Sequence, residues 1–357
     1  MTTTRVLCAL VFATGCAATF AAGCAGRYPG AGTTPAGGKR AAAVPAGGIA
    51  NAALPYVVLD GRTGRQLDEP AFWSRLGQAR AVCIGEEHPN PHHHWAQLHT
   101  VQKLIAAGPK GDAFAVGLEM VQRPFQGVLD DYAAKRIDAA ALRSRTGWEE
   151  RWGYDFGFYG PTLDAAVGAG GKLLALNAAR ELTKKVSRQG IESLTPDERA
   201  QLPELKLDDA QHRAWFDGLM SDMGGAHAHS QARPTASKHG DADGDQHGDK
   251  DEADDADPHG GHAPAMPSAE RIYTVQVLWD ETMADGGARW LAANPRGRLV
   301  ILAGNGHCHD SAIVGRLKRR GVTDAISVRP VLDTEGNVAE VLAKPMNDFV
   351  LVLQLPK

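Results

Sequence analysis

Ala81-Val82-Cys83-Ile84-Gly85-Glu86-Glu87-His88 is the stretch on which the fold turns. Four apolar residues read as a short buried strand. Gly85 then breaks the chain, and Glu86, Glu87 and His88 follow at once. Asn90, a good N-cap, and Pro91, a good first residue, open a helical segment whose apolar residues Trp95, Leu98, Val101, Leu104 and Ile105 recur every three to four positions. A strand that ends in Gly and acids ahead of a helix is the grammar of an open α/β sheet, whose sites lie beyond the carboxyl ends of the strands. The same grammar returns in Leu299–Ala303, followed by Gly304-Asn305-Gly306-His307. The expectation is that these two turns face each other across one site.

Working outward, Tyr56–Asp60 and the segment around Leu67 read as a small hairpin, and Pro70 to Gln78 as a helix. Ala113–Leu118 is a second apolar strand and delivers Glu119. A helical repeat follows from Gln122 to Tyr132, then an aromatic stretch from Trp148 to Tyr159, and then the strand Lys172–Leu176 with Asn177 at its end. Helices are expected over 181–189, 208–223 and 268–293, a strand over 298–303, a helix through Ile313 and Leu317, and closing strands at 326–328 and 349–353. The fold class is α/β.

Four strands thus end in ligand-like residues: Glu86 with His88, Glu119, Asn177, and Asn305 with His307. In a mostly parallel sheet these ends share one edge. His88, Glu119 and His307 form a donor set suited to a borderline divalent metal. Such a metal would acidify a bound water, with Glu86 or Glu87 taking the proton if the chemistry is hydrolytic. Gln97, Asn177, Gln276 and Asp280 are candidates to hold those ligands in place.

These motifs carry a resemblance. Gly85 to His94 with Gln97, Leu118-Glu119-Met120 with Gln126 and Tyr132, Tyr159-Gly160-Pro161, Leu176-Asn177 with Arg180, Gln276 to Ala284, and Leu302 to His307 occur in the order found in ChaN-like proteins of the wider Tiki and TraB superfamily. The similarity spans roughly residues 55 to 330. It implies an α/β domain with a mostly parallel sheet flanked by helices, plus a smaller helical domain. It also implies a lipoprotein that binds haem and serves haem or iron uptake, with a homodimer left open. In the wider superfamily the two Gly-x-x-His turns and the intervening Glu are proposed metal ligands of proteases, here His88, Glu119 and His307. Haem needs an apolar slot and one or two axial ligands. Tyr154, Tyr159, Tyr273 and His94 are the candidates, with Trp148, Trp152, Phe158 and Trp279 available to line the slot. The turn after His307 departs from the family pattern, with Ala312-Ile313-Val314-Gly315 in place of a Gly-Ile-Pro-like sequence.

The ends and the insertion complete the expectation. Arg5, an apolar run from Val6 to Phe20 and small residues before Cys24 read as an export signal of residues 1–24, with Cys24 as the lipidated residue and Cys16 as a weaker alternative. Ala25 carries no inner-membrane retention signal, so an outer-membrane anchor follows. Residues 25–54 read as a flexible Gly/Ala/Pro tether, 55–223 and 268–357 as the two parts of the α/β domain, and 224–267 as a disordered Asp/His-rich insertion. His227, His229, His239, His247, His259 and His262 in that insertion would bind Zn, Ni or Cu loosely, which makes metal buffering a third reading after haem capture and hydrolysis. Cys83 and Cys308 are conceivable disulfide partners in an exported chain, yet a buried free Cys83 and a loop Cys308 are the expectation. A net charge of −4 without a basic face excludes a nucleic-acid partner from the reading.

Overall fold

All four side chains of Ala81–Ile84 are buried, because this strand has neighbours on both sides and helices on both faces. The computed structural model describes residues 54–108, 112–231, 267–334 and 336–355, with backbone alone at 222–231. The expected leader with Cys24, the tether up to Ala53 and residues 232–266 of the insertion expected over 224–267 lie outside the described residues, while 224–231 belong to the end of a helix. The strands are β1 (Tyr56–Asp60), β2 (Gln66–Leu67), β3 (Ala81–Ile84), β4 (Phe114–Gln122), β5 (Lys172–Asn177), β6 (Arg298–Leu302), β7 (Ile326–Leu332) and β8 (Phe349–Leu353). They form one sheet in the order β2-β1-β8-β7-β3-β6-β4-β5. The six strands from β8 to β5 run parallel, and β1 and β2 are added antiparallel at one edge. The sheet is therefore mostly parallel, as expected.

The helices are α1 (Glu69–Gln78), α2 (Pro91–Ala107), α3 (Gln126–Ala133), α4 (Ala139–Thr146), α5 (Trp148–Arg151), α6 (Gly160–Gly168), α7 (Arg180–Gln189), α8 (Pro196–Arg199), α9 (Ala210–Gln231), α10 (Ala269–Ala293), α11 (Ile313–Arg319) and α12 (Asn337–Ala343). They cover both faces, and strand alternation sorts the core between them. Val82, Ile84, Val116, Leu118, Val300 and Leu302 point into a core with α1, α2, α3 and α6. Ala81, Cys83, Ala115, Leu299 and Ile301 point into a second core with α7, α10 and α11. A small third core joins α9 to the start of α10 through Phe216, Tyr273 and Val277.

The register positions the site. Ile84 pairs with Leu302 on one side and Val328 on the other, and Leu302 also pairs with Leu118. Gly85, Ala303, Glu119 and Arg329 are thus the next residues in one row across the carboxyl edge. β4 runs to Gln122, past the expected end at Leu118. Between its pairings Leu118–Ala175 and Gln122–Asn177 with β5, it has three residues against one, and Glu119 sits in that bulge. β7 likewise continues through Pro330 to Leu332. Its pairing with β3 stops at Val328, so the missing N–H of Pro330 falls where only β8 remains as a neighbour. The short helix α12, which lacks a long apolar repeat, has no counterpart in the sequence reading.

Candidate functional site

The two Gly-containing turns do meet. Asn305 N–H donates to Glu86 O at 2.8 Å, and a Cβ on Gly85 would lie only 2.2 Å from Asn305 Oδ1. Only glycine permits that approach. The side chains, however, leave the turns in opposite directions. Glu86 follows the parity of Val82 and Ile84 onto the α2/α6 face, and Glu119 and His307 lie on the α10 face. The single expected constellation is two buried acid–imidazole clusters, one on each side of the sheet edge.

Glu86 is the centre of the first cluster. Its Oε1 accepts from His88 Nδ1 at 2.6 Å and from Tyr159 Oη at 2.9 Å. Its Oε2 lies 3.1 Å from His94 Nδ1, an ion-pair contact too bent to count as a hydrogen bond. Burial alone would raise the Glu86 carboxyl, but His94 and His88 together hold it well below the usual carboxylate range. His94 reaches the cluster from the first turn of α2, whose start is fixed by Pro91 and by Asn90 accepting from His92 and His93 N–H. Its Nε2 donates to His88 O at 2.8 Å, and its Nδ1 faces Gln97 Oε1 at 3.2 Å as well as Glu86. Burial opposes its charge, yet Glu86 outweighs that and raises its pKa. With both nitrogens donating, His94 has no lone pair to offer a ligand. Gln97 also donates weakly to Ile84 O at 3.5 Å. The aromatic stretch closes over this cluster: the His88 ring lies 4.8 Å from Trp152 and 4.9 Å from Tyr154, and His94 stacks on Phe158 at 4.7 Å. Tyr159 is fully buried, and burial with Glu86 close by pushes its phenol far up. Tyr154 is partly exposed.

The second cluster is built on Asp280 of α10. Oδ1 accepts from His307 Nδ1 at 2.7 Å, Oδ2 lies 3.1 Å from His212 Nε2 of α9, and Arg316 Nη1 of α11 is 3.7 Å away. Burial would raise Asp280, but Arg316 and His307 keep it low. The other side of His307 faces Glu119, with Nε2 to Oε1 at 3.4 Å. Burial opposes the imidazolium, and Glu119 with Asp280 raises it nonetheless. Gly304 N–H donates to Glu119 Oε2 at 2.7 Å, and Asn177 Nδ2 donates to Glu119 O at 2.9 Å. Gln276 Nε2 reaches Gly306 O at 3.3 Å. Tyr273 lies behind this cluster, its hydroxyl 3.4 Å from His212 Nδ1.

His307 and Glu119 are therefore adjacent, whereas His88 is paired with Glu86 on the other face. Among the described residues no group of three or more His, Cys, Asp or Glu is arranged to hold a metal ion. One expectation is overturned outright: Cys83 and Cys308 form a disulfide. The odd parity that sends Cys83 to the α10 face brings it to the turn just beyond His307, so neither cysteine is free. Residues that sequence reasoning missed are His212, Arg316, His93 and Arg329. His212 and Arg329 are isolated in a helix and a strand with no motif around them, and Arg316 is overshadowed by the neighbouring basic run Lys318-Arg319-Arg320.

An open groove of about 570 Å³ elsewhere, lined by Gln126, Arg136, Lys172, Leu173, Leu174 and Trp290 among others, has no His, Tyr, Cys or Met in its lining to ligate iron. Among the described residues no helix is long and apolar enough to cross a membrane.

A family model described as haem-binding uptake, Tiki superfamily, ChaN matches residues 72–317. No curated protein matches the chain. Among solved structures, that of cofacial haem binding to ChaN of Campylobacter jejuni is similar at 15% identity and a TM-score of 0.56, covering 84% of this chain and 96% of that one. The type III effector HopBA1 is 11% identical with a TM-score of 0.38, covering 79% and 90% of the two chains. A mutant of the erythromycin esterase EreC in its open conformation is 14% identical, also at 0.38, covering 84% and 83%.

Proposed function

The chain belongs to the ChaN family of haem-binding uptake proteins in the Tiki superfamily, and from that premise we propose that it captures haem at the edge formed by Glu86, His88 and the aromatic stretch above them. The observation that carries this reading is that the family match spans both turns and every residue of the two clusters. The donor set fits haem iron on its own chemistry. His88 has Nδ1 held by a carboxylate, which leaves Nε2 as the coordinating nitrogen and fixes the orientation of the ring. Tyr154, partly exposed against the His88 ring, offers a phenol. Tyr159, Tyr273 and His94 are buried whereas Tyr154 is partly exposed, so Tyr154 is the axial ligand we favour. Bound haem supplies a ferric iron that takes phenolate or imidazole. The chain's own part is to orient that donor and to keep water from it with Trp152 and Phe158.

Export, lipid anchoring at Cys24 and a role in iron uptake belong to the same proposal. The Cys83–Cys308 disulfide supports export, because such bonds persist in oxidising compartments. The haem binding described for the Campylobacter jejuni protein is cofacial. Two copies of this chain presenting Tyr154 toward each other would supply such a pair of faces.

Haemin titrated into the purified chain should give a Soret band whose position and affinity change in Tyr154→Phe. Absence of the band in the folded protein ends the haem reading, and a band untouched by Tyr154→Phe and by Tyr154→Ala ends the assignment of the ligand. A hydrolase built on Glu119 and His307, without the His88 that lies on the other face, is the second reading, favoured by the Asp280–His307–Glu119 chain of buried groups. It requires a stoichiometric metal in elemental analysis that is lost in His307→Ala.

A further inference from the structure

The loop that carries His307 lies inside the molecule with little to hold it there. Residues 303–312 join β6 to α11 without regular structure, and all of them but Asn305 and Asp310 are buried. Irregular backbone normally runs over the surface, where water satisfies its polar groups. From Ala303 to Ala312 the sequence has no Leu, Ile, Val, Met, Phe, Tyr or Trp, so burial of large apolar side chains does not anchor the loop. Hydrogen bonds pin it at separate points. Gly304 N–H donates to Glu119 Oε2 at 2.7 Å, Asn305 N–H to Glu86 O at 2.8 Å, Asn347 Nδ2 to Cys308 O at 2.7 Å, and Asp310 N–H to Met346 O at 2.9 Å. Each of these is exchanged for a bond to water when the loop opens, so the net hold of each is small. The covalent tie runs from Cys308 to Cys83 on β3.

The position of that tie decides what it controls. Cys83 points to the α10 face, and Cys308 follows His307 directly. His307 is the middle member of the second cluster, between Glu119 and Asp280, so that cluster exists only while the loop stays down. Glu86, His88, His94 and Tyr159 bond to one another on the opposite face and meet the loop only at the Gly85–Glu86 backbone. Both cysteines are sealed in, Cys83 at 0% and Cys308 at 1% exposure. An exchange partner therefore reaches the thiols while the loop is still open, and the finished bond is shielded from reductants.

We propose that Cys83 and Cys308 form a one-way redox latch, which closes the 303–312 loop and assembles the second cluster only once the chain reaches an oxidising compartment. In that step one cysteine thiolate attacks an exchangeable disulfide RSSR and releases RSH. The other thiolate then displaces a second RSH from the mixed disulfide, so both electrons and both protons leave on the two RSH. The export proposed above enters only in naming where the bond forms. The full-length chain is refolded with a glutathione redox pair or with dithiothreitol, the linkage is mapped by peptide mass, and amide hydrogen exchange is followed by mass spectrometry. In the reduced chain the amides of 303–312 should exchange roughly 10- to 100-fold faster than in the oxidised one, while α2 and the aromatic stretch keep their rates. Cys308→Ser with Cys83→Ala should match the reduced chain under either condition. Dithiothreitol added to the folded oxidised chain should leave the bond intact until denaturant opens the loop, and prompt reduction in the native state overturns the one-way character. Equal exchange of the loop in the two forms overturns the latch. So does a reduced chain that loses protection throughout, because the bond would then serve the fold as a whole, and so does an oxidised chain without the Cys83–Cys308 linkage. The comparison of the two wild-type forms needs no variant to fold and no haem, so its outcome is separate from that of the haem reading.

Discussion

Asp280 is completely buried and divides its two oxygens between His307 and His212, with Arg316 close by. Removing one partner of such a group strands the others in a low-dielectric interior, which typically costs about 3–5 kcal/mol. Asp280→Ala should destabilise the fold by that order in denaturant unfolding, and a change below about 1 kcal/mol would mean the cluster is not coupled as drawn. His93 and His309 give a second test, because burial lowers both, His93 to about 3 from 6.5. Below pH 6.5 the unfolded chain binds protons that these folded imidazoles refuse, so stability falls as pH drops from 6.5 toward 3. His94 and His307 work in the opposite sense: their raised pKa values give stability that is full below 6.5 and lost as pH rises through their folded values. Stability measured against pH should fall off on both sides of its maximum, and His93→Gln should flatten the acid side alone. At this scale the sequence was partly legible. Glu86, His88, Glu119, Asp280 and His307 stand in recognisable turns or helical motifs. His212 and Arg329 do not, since their importance comes from what folds against them.

Strand β3 and the turn after it show what an element adds. The apolar run, the glycine break and the capped helix were all readable from local chemistry, and the structure has them at nearly the expected bounds. What locality did not give is the close contact of Gly85 with Asn305, which joins two elements more than 200 residues apart. Gly85→Ala should force Asn305 aside and destabilise by about 1–3 kcal/mol, the usual effect of overpacking. Adding Asn305→Ala should recover part of that loss, because the clash is with the Asn305 side chain. If the two substitutions are strictly additive in unfolding experiments, the turns are not in contact. The split into two clusters has the same origin. Alternation along a strand fixes which residues share a face, but which helices cover that face is decided by strand order, and strand order is not written in any one segment.

Across the whole molecule, the Cys83–Cys308 disulfide closes a loop with a sequence separation of 225. Closing a loop of that size restricts the unfolded chain by about 5 kcal/mol in the entropic treatment. Reduction, or Cys308→Ser with Cys83→Ala, should lower Tm by about 10 °C, and an unchanged Tm would show that the bond does not form in the protein. The sequence offered the pairing only as conceivable and favoured free cysteines, because the bond depends on β3 and β6 lying side by side. A last consequence follows from the antiparallel edge. Tyr56 of β1 pairs with Leu353 of β8, and Gln354 N–H donates to Pro55 O at 2.8 Å. Because β8 runs with β7 and β3, Leu353 lies past the level of Ile84, and both ends of the folded unit leave from the edge that carries the two clusters. On the anchoring proposed above, a fluorescent protein fused after Lys357 would therefore sit at the same rim as the tether.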